Sequence, residues 1–546
     1  MLASSGRPAS ASTPDQRLEV LPLYRPGDVD IDYERDLADP GSYPYTRGSR
    51  PARTKAGHES SDQIVRELSG EGRAEWSNEQ FRYLLEHGAT GLDVIGDAPT
   101  MASMDADHAF AAHAVGNQGV SLTRGIDYER LYAGIPLDRV SVSHSLPTAF
   151  GVAGFYGAAK RLGFDPGLLR GSMILAPLFS EDTCYSHNVP LELHMRLAVD
   201  TIIFSSERMP RFHPFVEDTY FISDGSIEAI EEMALGFIEL REVVRRTVAR
   251  GLAVDAFAPR IALLVNCRMN VFEEVAKIRA SRRLYARMMR EEFGAEDPRS
   301  LAINVAAHTS GASMTAEQLT NNIVRGASQT LTLTMAGVRA MEISAFDEAI
   351  RTPSRAAHIV GIRTQQVIQE ETGVGDVADP LGGSYYVEAL TDEFERRIEE
   401  RVHFIEGLGD ILELSTAGFF RSIFAEAMVD RAREVADGTR RVVGVNCHRL
   451  GPEEDSLLRD IVEQRIEPCY DLVQEVKEWR ASRDMRAVVG SLDALTEAGR
   501  SPTANTTAAI VDAFEAGASM GECIGVLRQV YGAPYDPLDR AAERPR

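Results

Sequence analysis

GSMILAP at residues 171–177 is one of a series of short apolar segments, each followed by a longer stretch with helical periodicity. Further segments of this kind are GLDVIGD (91–97), RVSVSHS (139–145), PFVEDTYF (214–221), RIALLVNC (260–267), SLAINVAAH (300–308) and VRAMEISAF (338–346). We predict an eighth near VADPLGGSYYVE (377–388). Strands that alternate with helices form parallel sheets, and eight such units close into a barrel. The pattern therefore predicts an α/β protein built on a (β/α)8 TIM barrel, and the lack of a GxGxxG motif after the first segment disfavours a dinucleotide-binding open sheet.

The chain of 546 residues is acidic, with 82 Asp and Glu against 58 Lys and Arg and a formal net charge of −24. A field of this sign repels phosphate backbones, which argues against nucleic-acid binding. No apolar run reaches the length of about 18 residues that a membrane-spanning helix needs. The start, MLASSGRPASASTPDQ, lacks the apolar segment of a secretory signal. Five cysteines without a CxxC pair fit neither a disulfide framework nor a zinc knuckle. We predict a cytoplasmic protein with no nucleic-acid or membrane partner.

The sequence divides into four predicted regions. Residues 1–24 form a flexible, disordered tail, and residues 25–84 form an N-terminal arm that contacts another subunit. Residues 85–395 form the barrel, which binds the substrate. Residues 396–546 form a helical extension, predicted from amphipathic stretches such as DEFERRIEERVHFIEGLGDILELS.

An ordered set of motifs resembles the large subunit of the methylmalonyl-CoA mutase family. The set includes YPYTRG (43–48), FRYLLEHGATGLDV (81–94), TSGASMTAEQLTNNIVR (309–325) and RTQQVIQEETGVGDVADPLGGSYYVEALTDE (363–393). Their order and spacing match the family from about residue 25 to residue 535. The resemblance implies a barrel that threads the pantetheine arm of an acyl-CoA along its axis. It also implies adenosylcobalamin on one face of the barrel, where it starts a radical rearrangement.

In that family a flavodoxin-like domain with a DxHxxG loop holds the cobalamin. This sequence contains no DxHxxG, and its extension ends where that domain would begin. The resemblance is to members such as isobutyryl-CoA mutase, which carry the domain on a second polypeptide. We therefore expect adenosylcobalamin only with a separate cobalamin-binding subunit, and we expect a homo- or hetero-oligomer.

Positions that bind the substrate in the family hold different residues here. Phe221, after a retained Tyr220, stands where the family has the histidine that hydrogen-bonds the thioester carbonyl. Phenylalanine cannot donate a hydrogen bond. Ile174 replaces a polar residue of the family's QND motif, and Cys184 replaces the arginine that binds a substrate carboxylate. Leu68 stands at the position of a tyrosine near the cobalt. We expect a substrate without a second carboxylate.

The side that would face cobalamin has also changed. The family's HxQTxG begins at Ala306 and has His308 at the glutamine position, and its QSLHTN has Glu342 at the histidine position. Glu348 matches a family glutamate near the adenosyl ribose, so we assign it to cofactor binding only if cobalamin is used.

Three retained residues match family residues that border the CoA. They are Thr46 and Arg47 in the YPYTRG motif and Arg260 before the fifth segment of the predicted barrel. Arginine is the usual partner of phosphate. We therefore predict that these residues contact CoA, together with Ile174, Cys184 and Phe221 on the acyl side.

We assign catalysis to Asp218, Tyr220, His308 and Glu342, which stand near the ends of predicted strands, where barrels place catalytic groups. One residue of the Glu217–Asp218 pair must face inward, and a buried carboxyl beside Phe221 would have a raised pKa. A salt bridge to a neighbouring arginine is the alternative. His308 and Glu342 lie on adjacent strands as an acid/base pair, or the histidine is structural. No HExxH or HxH occurs, so we predict no metal site.

Three functions follow from these observations. The favoured one is a divergent enzyme that acts on an acyl thioester, carried by CoA or by an acyl carrier protein, with acid/base chemistry that needs no cobalamin. The second is an adenosylcobalamin-dependent mutase large subunit with a separate cobalamin subunit. The third is a non-catalytic barrel partner in a heteromer.

Overall fold

The computed structural model describes residues 18, 20–52, 63–179, 189–451, 454–455, 466–538 and 544–545. Its strands are parallel and form one sheet in the order β1-β9-β8-β7-β6-β5-β4-β3-β2. The strands are β1 (Ile64–Arg66), β2 (Leu68–Ser69), β3 (Gly91–Ile95), β4 (Ser141–Ser145), β5 (Arg170–Leu175), β6 (Phe212–Asp218), β7 (Ile261–Cys267), β8 (Asn304–Thr309) and β9 (Ala340–Glu342).

The sheet closes because β1 and β2 are two parts of one strand, interrupted at Glu67. β1 pairs with β9, and β2 pairs with β3, so the two ends of the sheet meet. This arrangement confirms the predicted (β/α)8 barrel. The strand predicted near residues 377–388 is wrong, because that stretch forms turns and then enters the helix Tyr385–Glu406. Its Asp-Pro and Gly-Gly pairs favour turns. The barrel instead starts at Ile64, within the range predicted as the arm.

Helices surround the barrel and continue beyond it. The α-helices are Ala74–Glu86, Ala98–Met101, Gly125–Tyr132, Thr148–Arg161, Leu191–Arg208, Thr219–Asp224, Ala229–Ala249, Val254–Phe257, Val271–Glu291, Pro298–Leu301, Thr320–Met335, Arg355–Glu371, Tyr385–Glu406, Ile411–Thr416, Phe419–Asp437, Tyr470–Ser482, Met485–Arg500, Thr506–Glu515 and Met520–Val530. Short 3-10 turns lie at Pro26–Asp28, Pro166–Leu168, Ala258–Arg260 and Gly311–Ser313, and a π-helical turn lies at Tyr33–Leu37. None of the helices in the described ranges has the length and apolar character that crossing a membrane requires.

The C-terminal helices pack onto the barrel's outer layer. The helix Thr506–Glu515 lies against Thr148–Arg161, where Phe514 packs against Phe150 and Tyr128. Apolar faces of this kind, rather than helix propensity, stabilise helices in proteins. The helical C-terminal part is thus as predicted, and it is continuous with the main hydrophobic core.

Gly171 in β5 approaches the neighbouring strand too closely for a side chain. Its φ is +137°, and a Cβ there would overlap the carbonyl oxygen of Val142. We expect Gly171→Ala to lower the free energy of unfolding by about 3 kcal/mol, because β4 and β5 would have to separate. Urea denaturation followed by circular dichroism measures the change.

Gly163→Ala is the matched control. Gly163 also has a positive φ, +86°, but no atom lies within 4 Å of its Cβ position. The left-handed backbone alone should cost about 1 kcal/mol. Equal losses in the two variants would contradict the steric explanation.

Candidate active site

A cavity of about 650 Å³ opens at the end of the barrel where the strands begin. The arginines that line it are the buried Arg66 and five that are at least partly exposed, namely Arg50, Arg139, Arg170, Arg211 and Arg339. Arg170 and Arg211 are exposed, and neither makes an ion pair with any residue that the structure describes. Cations collected around one cavity attract anions, even in a protein that is acidic as a whole. The amino end of the barrel is therefore a candidate anion site.

The cavity continues inward between small side chains. Its deeper lining includes Ser141, Gly171, Ser172, Ala262, Ala306 and Ala340. TIM barrels are usually filled by layers of bulky branched residues. Small residues at this level leave room along the barrel axis for an extended chain.

Midway along the axis, one side of the lumen is apolar. This apolar side comprises Val216, Tyr220, Ala262 and Leu264, with Ile174, Phe221 and Ala306 packed against them. Ile174 and Phe221, both predicted to bind the acyl part of the substrate, thus lie in one cluster.

The opposite side of the lumen is charged. This charged side comprises Arg66, Asp93, His308 and Glu342, all at most 3% exposed. Arg66 forms an ion pair with Glu342 at 2.9 Å, and Nε2 of His308 lies 3.7 Å from Oε2 of Glu342. Strand pairing aligns His308 with Glu342 and Glu342 with Arg66. The two strand-end residues that sequence reasoning paired do lie side by side, and their catalytic role stays a prediction.

Asp93 is a member of this cluster that sequence reasoning missed. Burial and the nearby Glu342 carboxylate raise the pKa of Asp93 well above its usual value, against the opposing charge of Arg66. Its Oδ1 accepts a hydrogen bond from Ser145 at 3.4 Å. The carboxyl also interacts with Glu342 and Ser143, although Oδ2 makes no hydrogen bond of good geometry to any described residue. The only signal in the sequence was an acidic residue inside the apolar segment GLDVIGD.

His308 is oriented by its surroundings. Its Nδ1 lies 2.8 Å from the carbonyl oxygen of Thr309, and its ring lies 4.4 Å from the ring of Tyr220. The carbonyl can only accept, so the hydrogen-bond network assigns the proton of the neutral ring to Nδ1. Nε2 then carries a lone pair that can accept a proton. Burial raises the pKa of Tyr220 well above its usual value, so its hydroxyl is a hydrogen-bond donor rather than a base.

Asp218 lies at the carboxyl end of β6 and lines a second, smaller cavity of about 60 Å³. Ile174 and Phe221 of the apolar side also line this cavity. Asp218 is 2% exposed, caps the helix Thr219–Asp224 and accepts a hydrogen bond from the Phe221 backbone N–H at 3.2 Å. Burial raises its pKa to about 7 despite this hydrogen bond. It makes no ion pair within the described part of the chain, so the salt-bridge alternative is not what the structure contains.

Two neighbouring residues face away from the lumen. Glu217 packs under the helix Ala229–Ala249, where burial and Glu239 raise its pKa well above the usual value. Nε2 of His144 lies 2.9 Å from the Tyr132 hydroxyl, and burial lowers the pKa of His144 to about 4. His144 is therefore a satisfied structural histidine.

The residues predicted to contact CoA do not line the arginine cavity. Thr46 is fully buried and donates to the carbonyl oxygen of Asp36, and Arg47 pairs with Asp379 at 3.0 Å. Arg260 precedes β7 at the amino end, where it donates to the carbonyl oxygens of Pro210 and Ala256. These contacts hold the fold together. Cys184 lies outside the described residues, so its role stays a prediction.

Glu348 lies in a polar group beyond the carboxyl end of β9. Its carboxylate accepts the Ala345 N–H at 2.9 Å, and burial raises its pKa. A Cβ at Gly311 would lie 3.0 Å from both the Glu348 carboxylate and the Tyr220 hydroxyl. Among the described residues, no group of three or more His, Cys, Asp or Glu side chains is arranged to hold a metal ion.

Comparisons with known proteins agree over almost the whole chain. The family model described as methylmalonyl-CoA mutase matches residues 13–533. The 2-hydroxyisobutanoyl-CoA mutase large subunit of Aquincola tertiaricarbonis is 33% identical over 512 residues, which cover 93% of this chain and 90% of that protein. Methylmalonyl-CoA mutase of Rhizobium meliloti is 33% identical, covering 94% and 72%. The mitochondrial methylmalonyl-CoA mutase of Homo sapiens is 29% identical, covering 94% and 68%.

Proposed function

Because this chain belongs to the methylmalonyl-CoA mutase family, we propose that it binds an acyl-CoA along the barrel axis and catalyses acid/base chemistry beside the thioester. The observation that carries the proposal is the cavity at the amino end, which is lined by six arginines and leads into a lumen of small residues. CoA combines three phosphate groups with a thin pantetheine arm, and this combination matches both parts of the cavity.

The arginines favour CoA over an acyl carrier protein as the thioester carrier. Arg170 and Arg211 are free to pair with phosphate oxygens, and guanidinium groups bind such oxygens in a bidentate manner. The pantetheine arm would then pass Ala262, Ala306 and Ala340. The thioester would arrive between the apolar and charged sides of the lumen.

Asp218 is the proposed base. A carboxyl with a pKa of about 7 is part carboxylate at neutral pH, which suits proton transfer. The bond from the α-carbon to its hydrogen breaks, the proton passes to the Asp218 carboxylate, and the electron pair forms the enolate of the thioester. The apolar neighbours Ile174 and Phe221 favour a small acyl group without a second carboxylate.

Adenosylcobalamin supplies radical chemistry in the family, and the residues present here fit it only in part. Glu348 is retained and lies in a buried polar group suited to the adenosyl ribose. Leu68 is half-buried, and Ala306 faces the amino-end cavity, so neither offers the polar group that the family has at these positions. His308 already bonds to the backbone. We therefore derive no step through cobalamin.

Charge reversal at the cavity mouth tests CoA binding. We expect Arg170→Glu and Arg211→Glu each to raise the dissociation constant for CoA about tenfold. The reason is that an exposed cation–phosphate contact contributes on the order of 1 kcal/mol. Isothermal titration calorimetry at low salt measures both variants and the double variant. Arg486→Glu, an exposed substitution on the helix Met485–Arg500, should leave the affinity unchanged. Wild-type affinity in the double variant would refute CoA binding at this end.

A further inference from the structure

The lumen lacks the hydrogen-bond donor that the family places on the thioester carbonyl. Phe221 occupies that position, and its neighbours Ile174 and Ala306 cannot donate either. The hydroxyl of Tyr220, in the same cluster, is already hydrogen-bonded to Asp224. An enolate oxygen without a donor is costly, because one such donor contributes on the order of 100-fold to the rate in other enzymes. The proposed chemistry therefore needs a donor from another part of the barrel.

The charged side of the lumen contains buried polar atoms that have unused hydrogen-bonding capacity. Oδ2 of Asp93 and Nε2 of His308 have no hydrogen-bond partner among the described residues, although both residues are at most 3% exposed. Buried polar atoms in native proteins are almost always paired, and each unpaired one costs about 1–3 kcal/mol. These two atoms therefore leave hydrogen-bonding capacity in the lumen that a polar group of a ligand can use.

We infer that a protonated carboxyl of the Asp93–Glu342 pair donates a hydrogen bond to the thioester carbonyl oxygen, in the role of the histidine that Phe221 replaces. The inference rests on the proposed function. Asp93 would be a catalytic residue that neither the sequence nor the comparisons indicate. Asp93 is on β3 and Glu342 on β9, whereas the apolar cluster comes from β5 to β8, so a thioester in the lumen can direct its carbonyl oxygen toward the carboxyls.

The charges around the pair favour one shared proton. Arg66 on β1 pairs with Glu342 and balances one negative charge. Four other polar groups lie close enough to interact with the pair. They are Asp218 on β6, Glu67 between β1 and β2, His308 on β8 and the Tyr132 hydroxyl outside the barrel. The acidic members of this set oppose a second negative charge, and burial acts in the same direction. In the inferred arrangement, Glu342 stays paired with Arg66, and Asp93 is the carboxyl that carries a proton.

This arrangement divides the acid and base roles between two carboxyls. Asp218 takes the α-proton, while the neutral carboxyl of the pair keeps its own proton and donates a hydrogen bond to the developing enolate oxygen. A buried carboxylic acid held neutral at pH 7 serves as an oxyanion donor in other enzymes. The step balances, because the proton that leaves the α-carbon binds to Asp218 and no other group changes its protonation state.

Butyryl-CoA in D2O tests the inference. We expect the wild-type protein to exchange the α-hydrogens for deuterium, and Asp93→Leu to lower the rate about 100-fold while the dissociation constant changes little. Asp93→Asn keeps an N–H donor, so it should retain exchange within about tenfold. Wild-type exchange should also decline at alkaline pH as Asp93 loses its proton. Asp93→Asn should lack this decline, because an amide does not lose a proton in this range. If Asp93→Leu does not fold, the pH profile of Asp93→Asn decides the question.

A matched control and a second readout separate the inference from the proposed function. Glu217→Gln removes another buried carboxyl without partners, outside the lumen, and should exchange at the wild-type rate. The infrared carbonyl band of bound butyryl-CoA, labelled with ¹³C at the thioester, should shift to lower frequency in the wild type but not in Asp93→Leu. A shift without any exchange would support the inference and refute the proposed acid/base reaction. Identical bands and identical exchange rates in the wild type and Asp93→Leu would overturn the inference.

Discussion

Asp218→Asn is expected to lower the α-hydrogen exchange of butyryl-CoA by about 10³-fold, because an amide cannot accept the proton. Asp218 is the carboxyl that lines the small cavity with Ile174 and Phe221. Its pKa of about 7 predicts that wild-type exchange rises as the pH increases through 7, since the carboxylate is the active form. Mass spectrometry of butyryl-CoA recovered from D2O measures the rate. Isothermal titration calorimetry should give an unchanged dissociation constant.

The adjacent residue provides the control for Asp218. Glu217 lies on the same strand, is equally buried and also has a raised pKa, but it packs under the helix Ala229–Ala249. Glu217→Gln should leave the exchange rate and its pH dependence unchanged. If Asp218→Asn exchanged at the wild-type rate, the assignment of the base would be wrong, and Nε2 of His308 would be the remaining candidate in the lumen.

Most of the barrel could be predicted because seven of its strands are short segments rich in apolar residues. The segment 64–69, IVRELS, was missed because it carries Arg66 and Glu67 and is interrupted at Glu67. Arg66 is charged because it faces the lumen rather than the helices. The strand whose sequence least resembles a strand thus contributes Arg66 to the charged side of the lumen, as expected where function overrides a local pattern.

The candidate site was predictable where it depends on neighbouring strands. His308 and Glu342 were expected together because they end consecutive strands, and the structure pairs them. Asp93 was missed because its raised pKa depends in part on the nearby Glu342 carboxylate, which lies far away in the sequence.

The arginine cavity could not be found from local sequence. Its arginines come from separate segments that precede or start different strands, namely Arg50, Arg139, Arg170, Arg211 and Arg339. Each one alone is typical of a solvated surface. Only closure of the barrel brings their charges to one opening, so the property belongs to the tertiary structure.

Ala306→Phe is expected to abolish butyryl-CoA binding, with a loss of affinity of at least about 10³-fold, because the ring would occupy the lumen that the pantetheine arm must cross. Ala306 lines the amino-end cavity and is partly exposed to it, so the larger side chain can enter the cavity without displacing the outer core. The arginines at the mouth remain. Adenosine 3′,5′-bisphosphate, which lacks the pantetheine arm, should therefore bind with the affinity it has for the wild type.

The comparison of the two ligands makes this prediction specific. Isothermal titration calorimetry with each ligand distinguishes a blocked lumen from a misfolded protein, because misfolding would remove both affinities. Ala481→Phe, an exposed substitution on the helix Tyr470–Ser482, should bind both ligands as the wild type does. If Ala306→Phe bound butyryl-CoA normally, the acyl arm would have to lie outside the barrel. Asp218, Asp93 and Glu342 would then be out of its reach, and the proposed reaction would fail with the proposed path.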